Sequence, residues 1–365
     1  MKKLGLSIYP EKSSMDDNKA YLATAAKYGF DRVFSCLLSV DATKKDQIVQ
    51  EFNEINQYAK DLGMEVIVDV NPRVFNELGI SYTDLSFFKE IGADGIRLDA
   101  GYTGREEAMM TFNPEGLMIE INMSIDTHMI DNIFDYMPNP NKLIGCHNFY
   151  PHRYTGMSLE FVEKTTKQYK SHGMRTAAFI SSQEATFGPW PVTDGLPTME
   201  MHRDLPVDVQ LKHYIAMNGL MDDVMISNCF ASDEELERLG SLNRDLLTLD
   251  IVPFEGLPEV ETSILFDELH FNRGDINDYV IRSTMSRVKH KGHQFDVFNT
   301  PDIRRGDIVI ESSQYGHYAG EMQIALKDMP NTGKSNVVGR VREEELFLLD
   351  LIKPWQKFKL RRVKG

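Results

Sequence analysis

At 365 residues the chain is long enough for two domains, and its 42% hydrophobic and 26% charged content is that of an ordinary globular protein. Forty basic against fifty-five acidic side chains give a net charge of −15, which disfavours nucleic acid as the main partner but leaves room for a small anion held by a local Arg/His cluster. No run of about 18 apolar residues is present, so the sequence predicts no membrane span. The opening Met1-Lys2-Lys3 leads into a short apolar run and then Glu11-Lys12, which reads as a first strand rather than a secretory leader and predicts a cytoplasmic protein.

From the start, short β-branched runs alternate with longer helical patterns. The predicted strands are Gly5–Tyr9, Arg32–Ser35, Glu65–Asn71, Gly95–Asp99, Met118–Asn122, Leu143–Asn148, Arg175–Ile180 and Asp223–Ser227. Between them the pattern predicts helices over Asp16–Tyr28, Thr43–Leu62, Ser81–Ile91, Ile125–Tyr136 and Leu159–Ser171, the last two with Ser124 and Ser158 as N-caps. Gly29, Gly63 and Gly92 each follow a helix and precede an acid and a strand, as expected where the chain must turn through the left-handed region. Eight β-then-α units in residues 1–242 predict a closed (β/α)₈ TIM-type barrel rather than an open doubly wound sheet. No GxGxxG or Walker pattern follows a strand, which lowers the case for a nucleotide. Cys36, Cys146 and Cys229 are far apart in sequence, form no CxxC pattern, and read as reduced, buried thiols.

From about Asn243 the texture changes. Leu247–Pro253, Glu261–Leu265, Gln294–Val297, Asp307–Ile310, Tyr318–Leu326 and Asn336–Val341 read as short strands separated by turns, with helical pattern only at Arg342–Leu349. Residues 243–365 are therefore expected to form a separate, mainly β domain, a small barrel.

In a barrel of this type the carboxyl ends of the strands form the working face. The residues there are unusually polar. Asp69-Val70-Asn71, Arg97-Leu98-Asp99 and Glu120-Ile121-Asn122 share a period-2 spacing on three successive strands, which aims both polar residues of each pair into the barrel mouth. Paired carboxylates beside Asn, His and Tyr suit glycoside hydrolysis, so Asp99 and Glu120, with Asp69 as alternate partner, are the candidate catalytic residues. A structural ion-pair network of Arg97 with Asp69 or Glu120 is the competing reading. No HxH or HExxH spacing supports a metal.

Tyr9, Asn71, Arg97 and Asn122 are expected to line the mouth, together with His147, Asn148, Tyr150, His152 and Arg153 from a loop rich in donors and aromatics. The connection from Ser181 to Leu205 is long and holds three prolines and two glycines, as in loops that build or cover a site. Within it Glu200, His202 and Arg203 are candidate binding residues, the last two for phosphate. Arg282 and Arg287 in the second domain could hold a further anionic group.

His147-Asn148-Phe149-Tyr150-Pro151-His152 with Thr155-Gly156, Gly188-Pro189, Gly195-Leu196-Pro197-Thr198-Met199-Glu200-Met201-His202-Arg203, Arg282-Ser283-Thr284 and Arg304-Arg305-Gly306-Asp307 together resemble the bacterial 6-phospho-N-acetylmuramidase family. The resemblance implies a barrel followed by a cyclophilin-like β domain. It also implies an intracellular glycosidase of cell-wall (peptidoglycan) recycling that cleaves the β-1,4 bond of N-acetylmuramic acid 6-phosphate–N-acetylglucosamine without a cofactor. The residues alone leave open a sugar-phosphate isomerase or aldolase, although no strand end offers a Schiff-base Lys. A non-catalytic phospho-sugar-binding protein is also left open.

Overall fold

Eight parallel strands pair in chain order and the eighth returns to the first, closing a barrel. The computed structural model describes residues 2–37, 45–70, 72–185, 187–189, 191 and 194–364. The barrel strands are β1 (Lys3–Ile8), β2 (Arg32–Leu37), β3 (Glu65–Val70), β4 (Gly95–Leu98), β5 (Met118–Asn122), β6 (Leu143–Cys146), β7 (Arg175–Ile180) and β8 (Asp223–Ile226). Seam closure depends on Gly5, which pairs with Arg32 on one side and Met225 on the other. A Cβ there would lie 2.6 Å from Met225 Cγ and 3.0 Å from the Arg32 carbonyl, so only glycine lets these neighbours fill the interior.

The connecting helices are α1 (Met15–Lys27), α2 (Lys45–Asp61), α3 (Pro72–Leu78), α4 (Ser86–Glu90), α5 (Arg105–Met110), α6 (Met129–Asp135), α7 (Leu159–Ser171), α8 (Val207–Ala216) and α9 (Asp233–Gly240). The expected glycine stops are present, with φ of +78° at Gly29, +83° at Gly63 and +77° at Gly92. Ser158 caps α7 by accepting from the Phe161 amide. Ser124 caps no helix. α6 begins only at Met129, and the Ser124 hydroxyl is drawn inward to the Asn148 amide at 2.7 Å. The helix expected over Ser81–Ile91 shortens to α4, and Thr43 lies outside the described residues. No helix among the described residues is long and apolar enough to cross a membrane.

The chain divides into two units, Met1–Tyr214 with Asn218–Leu242, and Ile215–Met217 with Asn243–Gly365. The second contains β9 (Leu247–Pro253), α10 (Glu259–Asp267), β10 (His270–Phe271), β11 (Val280–Ser283), α11 (Met285–Lys289), β12 (Asp307–Glu311), β13 (Met322–Ala325), β14 (Ser335–Val341) and β15 (Lys357–Arg362). Its sheet runs β10-β15-β9-β14-β12-β13-β11, with β15 and β9 parallel and the other pairs antiparallel. The two edge strands approach each other: His270 meets the Ser283 hydroxyl at 3.0 Å, and the Arg273 amide donates to the Arg282 carbonyl at 3.0 Å. The sheet is therefore nearly closed.

Three strand expectations here are corrected. Glu261–Leu265 is helical, since Glu261, Ile264 and Leu265 bury one face of α10 at helical spacing and a five-residue run does not separate the two periods. Gln294–Val297 joins no strand; Phe295 is buried there and bonds through its backbone to Ser313. Only Met322–Ala325 of Tyr318–Leu326 is extended, because Gly316 and Gly320 take positive φ before it. The helical pattern at Arg342–Leu349 forms a 3₁₀ segment, Glu343–Leu351.

Candidate active site

Cys36, Asp69, Arg97 and Glu120 are in register across β2, β3, β4 and β5. Residues paired across parallel strands point to the same face, so these four form one row into the barrel. The strands are tilted against the barrel axis, so one end of the row is deeper than the other.

Glu120 occupies the deep end. It is fully buried and ion-paired with Arg32 from the start of β2, and Arg32 also binds Asp223. The network continues through Arg175 to Asp223 and Glu65, and from Glu65 to Lys3 at 3.0 Å. Burial by itself would raise the Glu65 carboxyl, but Arg175, with Arg32 and Lys3, holds it down at about 2. The expectation that Glu120 is catalytic is therefore corrected. Glu120 is placed as the buried partner of Arg32, sealed from solvent and away from the partly exposed Asp69 and Asp99.

In the middle of the row, Asp69 and Arg97 lie beside the exposed Asp99. Arg97, only 3% exposed, donates through Nη1 to Asp69 Oδ1 at 2.7 Å and to Asp99 Oδ1 at 3.2 Å. Its Nη2 donates to Asn148 Oδ1. The Asp69 side chain is 15% exposed and that of Asp99 is 53% exposed. Burial raises the Asp69 carboxyl above its usual range; Arg97 pulls it back and the Asp99 charge adds to the rise. The Cys36 thiol lies 3.4 Å from Asp69 Oδ2, so both carboxyl oxygens of Asp69 have partners. Asn122 donates to the Asp99 carbonyl at 3.1 Å. Asp69, Arg97, Asp99, Asn122 and Asn148 thus form the polar centre of the mouth. Asn71 lies outside the described residues.

The loops after β6 and β7 form a paired rim. The Tyr150 amide donates to Pro197, the Met157 amide to Thr198, and the Thr198 hydroxyl to Asn148. Arg203 locks them together. Its Nε and Nη2 hold both Glu200 oxygens at 2.7 and 2.6 Å, and its other hydrogen bonds go to the carbonyls of Asp194, Gly195, Tyr150 and His152. Glu200 also accepts from the Tyr154 and Gly156 amides, and with Arg203 as the main cause its carboxyl is held down at about 2.

These bonds correct several expectations. Arg203 is 3% exposed with all three nitrogens engaged, and His202 is fully buried against His213 at 2.7 Å, so neither is placed to take phosphate. Glu200 is the partner of Arg203. His147 is buried between Ser124 and Thr166, with burial and Arg97 lowering its pKa to about 3, so it stays neutral and structural. Tyr9 is 1% exposed and donates to the Ser227 carbonyl, inside an apolar cluster that also contains Cys36, Cys146 and Cys229. Tyr150 is half-buried on the rim, His152 is exposed, and Arg153 is half-buried with a two-point pair to Asp204 at 2.8 and 3.1 Å. In the second unit Arg282 and Arg287 converge on buried Glu321 at 2.7 and 3.2 Å.

Two residues of the site escaped sequence reasoning. Cys36 was legible only as a buried thiol, although its alternation with Phe34 and Arg32 puts it on the inward face. Ser124 reads as a helix cap, and only its contact with the Asn148 amide shows that it positions the partner of Arg97.

Residues 4–241 match the N-terminal model of 6-phospho-N-acetylmuramidase, and residues 247–361 match the C-terminal one. The chain belongs to this family. A solved structure of an uncharacterized B. cereus protein shares 48% identity and a TM-score of 0.92, covering 99% of each chain. A conserved Enterococcus faecalis protein with an unknown function shares 24% identity and a TM-score of 0.71, covering 99% of this chain and 96% of its own. No curated protein matches the chain. Within the family architecture, the Asp69–Arg97–Asp99 centre lies in the barrel matched by the N-terminal model.

Proposed function

We propose that this protein is a glycoside hydrolase that cleaves the β-1,4 bond of N-acetylmuramic acid 6-phosphate–N-acetylglucosamine, in the cytoplasm, during recycling of cell-wall sugars. The observation that carries this reading is a pair of carboxylates sharing one guanidinium nitrogen at the open end of a barrel of this family. The second unit is proposed to be the family's cyclophilin-like domain, with the boundary at residues 242/243.

Asp69 is the proton donor. Its burial raises the carboxyl, which favours the protonated form that a general acid needs. Asp99 is the exposed partner, 3.2 Å from the Arg97 guanidinium. Both carboxylates reach the same nitrogen, at 2.7 and 3.2 Å, so those oxygens lie less than about 6 Å apart, compatible with the ~5–5.5 Å of retaining enzymes. In this scheme Asp99 attacks the anomeric carbon while the Asp69 proton passes to the leaving oxygen. A glycosyl ester on Asp99 is then hydrolysed by a water that gives its proton back to Asp69. Asn122 and Asn148 hold the two ends of the centre, and Tyr150, His152 and Arg153 offer ring and cationic contacts for the sugar and its anionic groups.

The test is hydrolysis of the disaccharide with and without the 6-phosphate. The reading requires cleavage of the phosphorylated form, with retained anomeric configuration in the first product. If wild-type protein leaves both disaccharides intact, the reading fails.

A further inference from the structure

The second unit contains a pocket of its own. It has a volume of about 380 Å³, and its wall includes Arg287, His290, Lys291, His293 and His317. Its lining contains no acidic residue among those described. That concentration is notable in a chain with 40 basic and 55 acidic side chains. Lys291, His293 and His317 are exposed, while Arg287 and His290 are half-buried.

The acids that pair with Arg287 and His290 do not line the pocket. Glu321, fully buried, holds Arg287 at 3.2 Å; Glu268, 8% exposed, holds His290 at 3.0 Å and Lys289 at 3.3 Å. Arg287 is further fixed over the Tyr318 ring, 5.2 Å from its centroid. Gly292 and Gly316 complete the wall with φ of +92° and +55°, and a Cβ at either would meet nothing within 4 Å. The wall there is bare backbone, which permits close approach of a ligand.

We propose that this pocket binds a phosphate monoester or free phosphate. A phosphate dianion presents several acceptor oxygens, and charge-assisted bonds from converging Arg, Lys and His donors are the arrangement that compensates its lost hydration. A carboxylate has one charge and two oxygens, fewer than this donor set serves. A nucleic acid would need an extended basic stripe on a protein that is acidic overall. The volume, about 380 Å³, is within the small-molecule range and accommodates a phosphorylated monosaccharide. The proposal is independent of the barrel chemistry and does not require that glycosides be cleaved.

The test uses the full chain, titrated with glucosamine 6-phosphate, glucosamine and inorganic phosphate by calorimetry and by NMR of the histidine ring protons. The proposal expects the His293 and His317 signals to move with both phosphates and not with glucosamine. In the double variant Lys291→Ala/His317→Ala, whose altered side chains are exposed, affinity at this site should fall about tenfold or more, as expected for losing charge-assisted bonds. Tighter binding of the sugar phosphate than of the free ion would make the monoester the ligand; equal binding would make it the ion. The proposal is overturned if neither phosphate moves those signals, or if the double variant binds both as wild type does.

Discussion

Arg97 and Asp69 are in-register neighbours on adjacent strands, joined at 2.7 Å, and the same guanidinium nitrogen reaches Asp99 two residues further along the chain, just past the end of β4. A cation shared in this way holds two carboxylates close together. Burial pushes Asp69 toward the neutral acid, and exposure leaves Asp99 in water.

Replacing either carboxylate should abolish most hydrolysis while leaving the fold intact. Asp69→Asn is expected to lower kcat by about 10²–10⁴, the usual range for an acid–base group, and Asp99→Asn, which removes the nucleophile, by at least as much, with little change in melting temperature. The Asp69 pKa is raised, so wild-type activity falls as pH rises through that pKa and the acid loses its proton. Asp69→Asn should lack that alkaline limb. An unchanged pH–rate profile in this variant would exclude Asp69 as the donor.

Glu120→Gln tests stability rather than chemistry. Removing its charge leaves Arg32 with Asp223 as its remaining carboxylate partner in a sealed interior, at a cost of about 3 kcal/mol or more. Thermal unfolding should move down by several degrees. The folded fraction should retain its turnover, which a catalytic role for Glu120 would forbid.

Arg203→Lys should loosen the rim. A lysine cannot hold both Glu200 oxygens and the carbonyls of two loops at once, and the loss is expected to cost roughly 2–4 kcal/mol. Limited proteolysis should then cut within residues 147–157 or 194–203. KM should rise more than kcat falls, because the rim holds substrate and does not touch the scissile bond.

Glu311 gives the second unit a pH dependence of its own. Burial raises its carboxyl to about 7, assisted by Glu321 and opposed by the Ser335 hydroxyl and Arg282. The folded state then holds a proton that the unfolded chain has released between its ordinary carboxyl pKa and about 7, so stability decreases as pH rises through that window. Glu311→Gln removes this slope. Its unfolding free energy relative to wild type should improve on going from pH 4 to pH 8, by up to about 3 kcal/mol. Parallel stability–pH curves for the two proteins would contradict the shift.

Much of the barrel was legible because it is written in local periods. β-branched runs give strands, Gly29, Gly63 and Gly92 mark the turns out of helices, and the two-residue spacing of Arg97 and Asp99 gives the inward face. Local patterns do not record depth. Glu120 carries the same period-2 signal as Asp69, but the tilt of the strands lowers it onto Arg32, 88 residues away in sequence. Nor do they record which partner neutralises a charge. Arg203 reads as a phosphate ligand until the loops after β6 and β7 are seen to occupy its nitrogens, and Glu261–Leu265 reads as a strand until its buried face is seen to have helical spacing. The sequence by itself determined the alternation of elements, the face of the barrel that carries chemistry, and membership signals spread along the whole chain. Only the tertiary structure decided which carboxylates meet solvent and which are sealed, because burial and ion pairing are set by residues far apart in the chain and by the shear of the closed sheet.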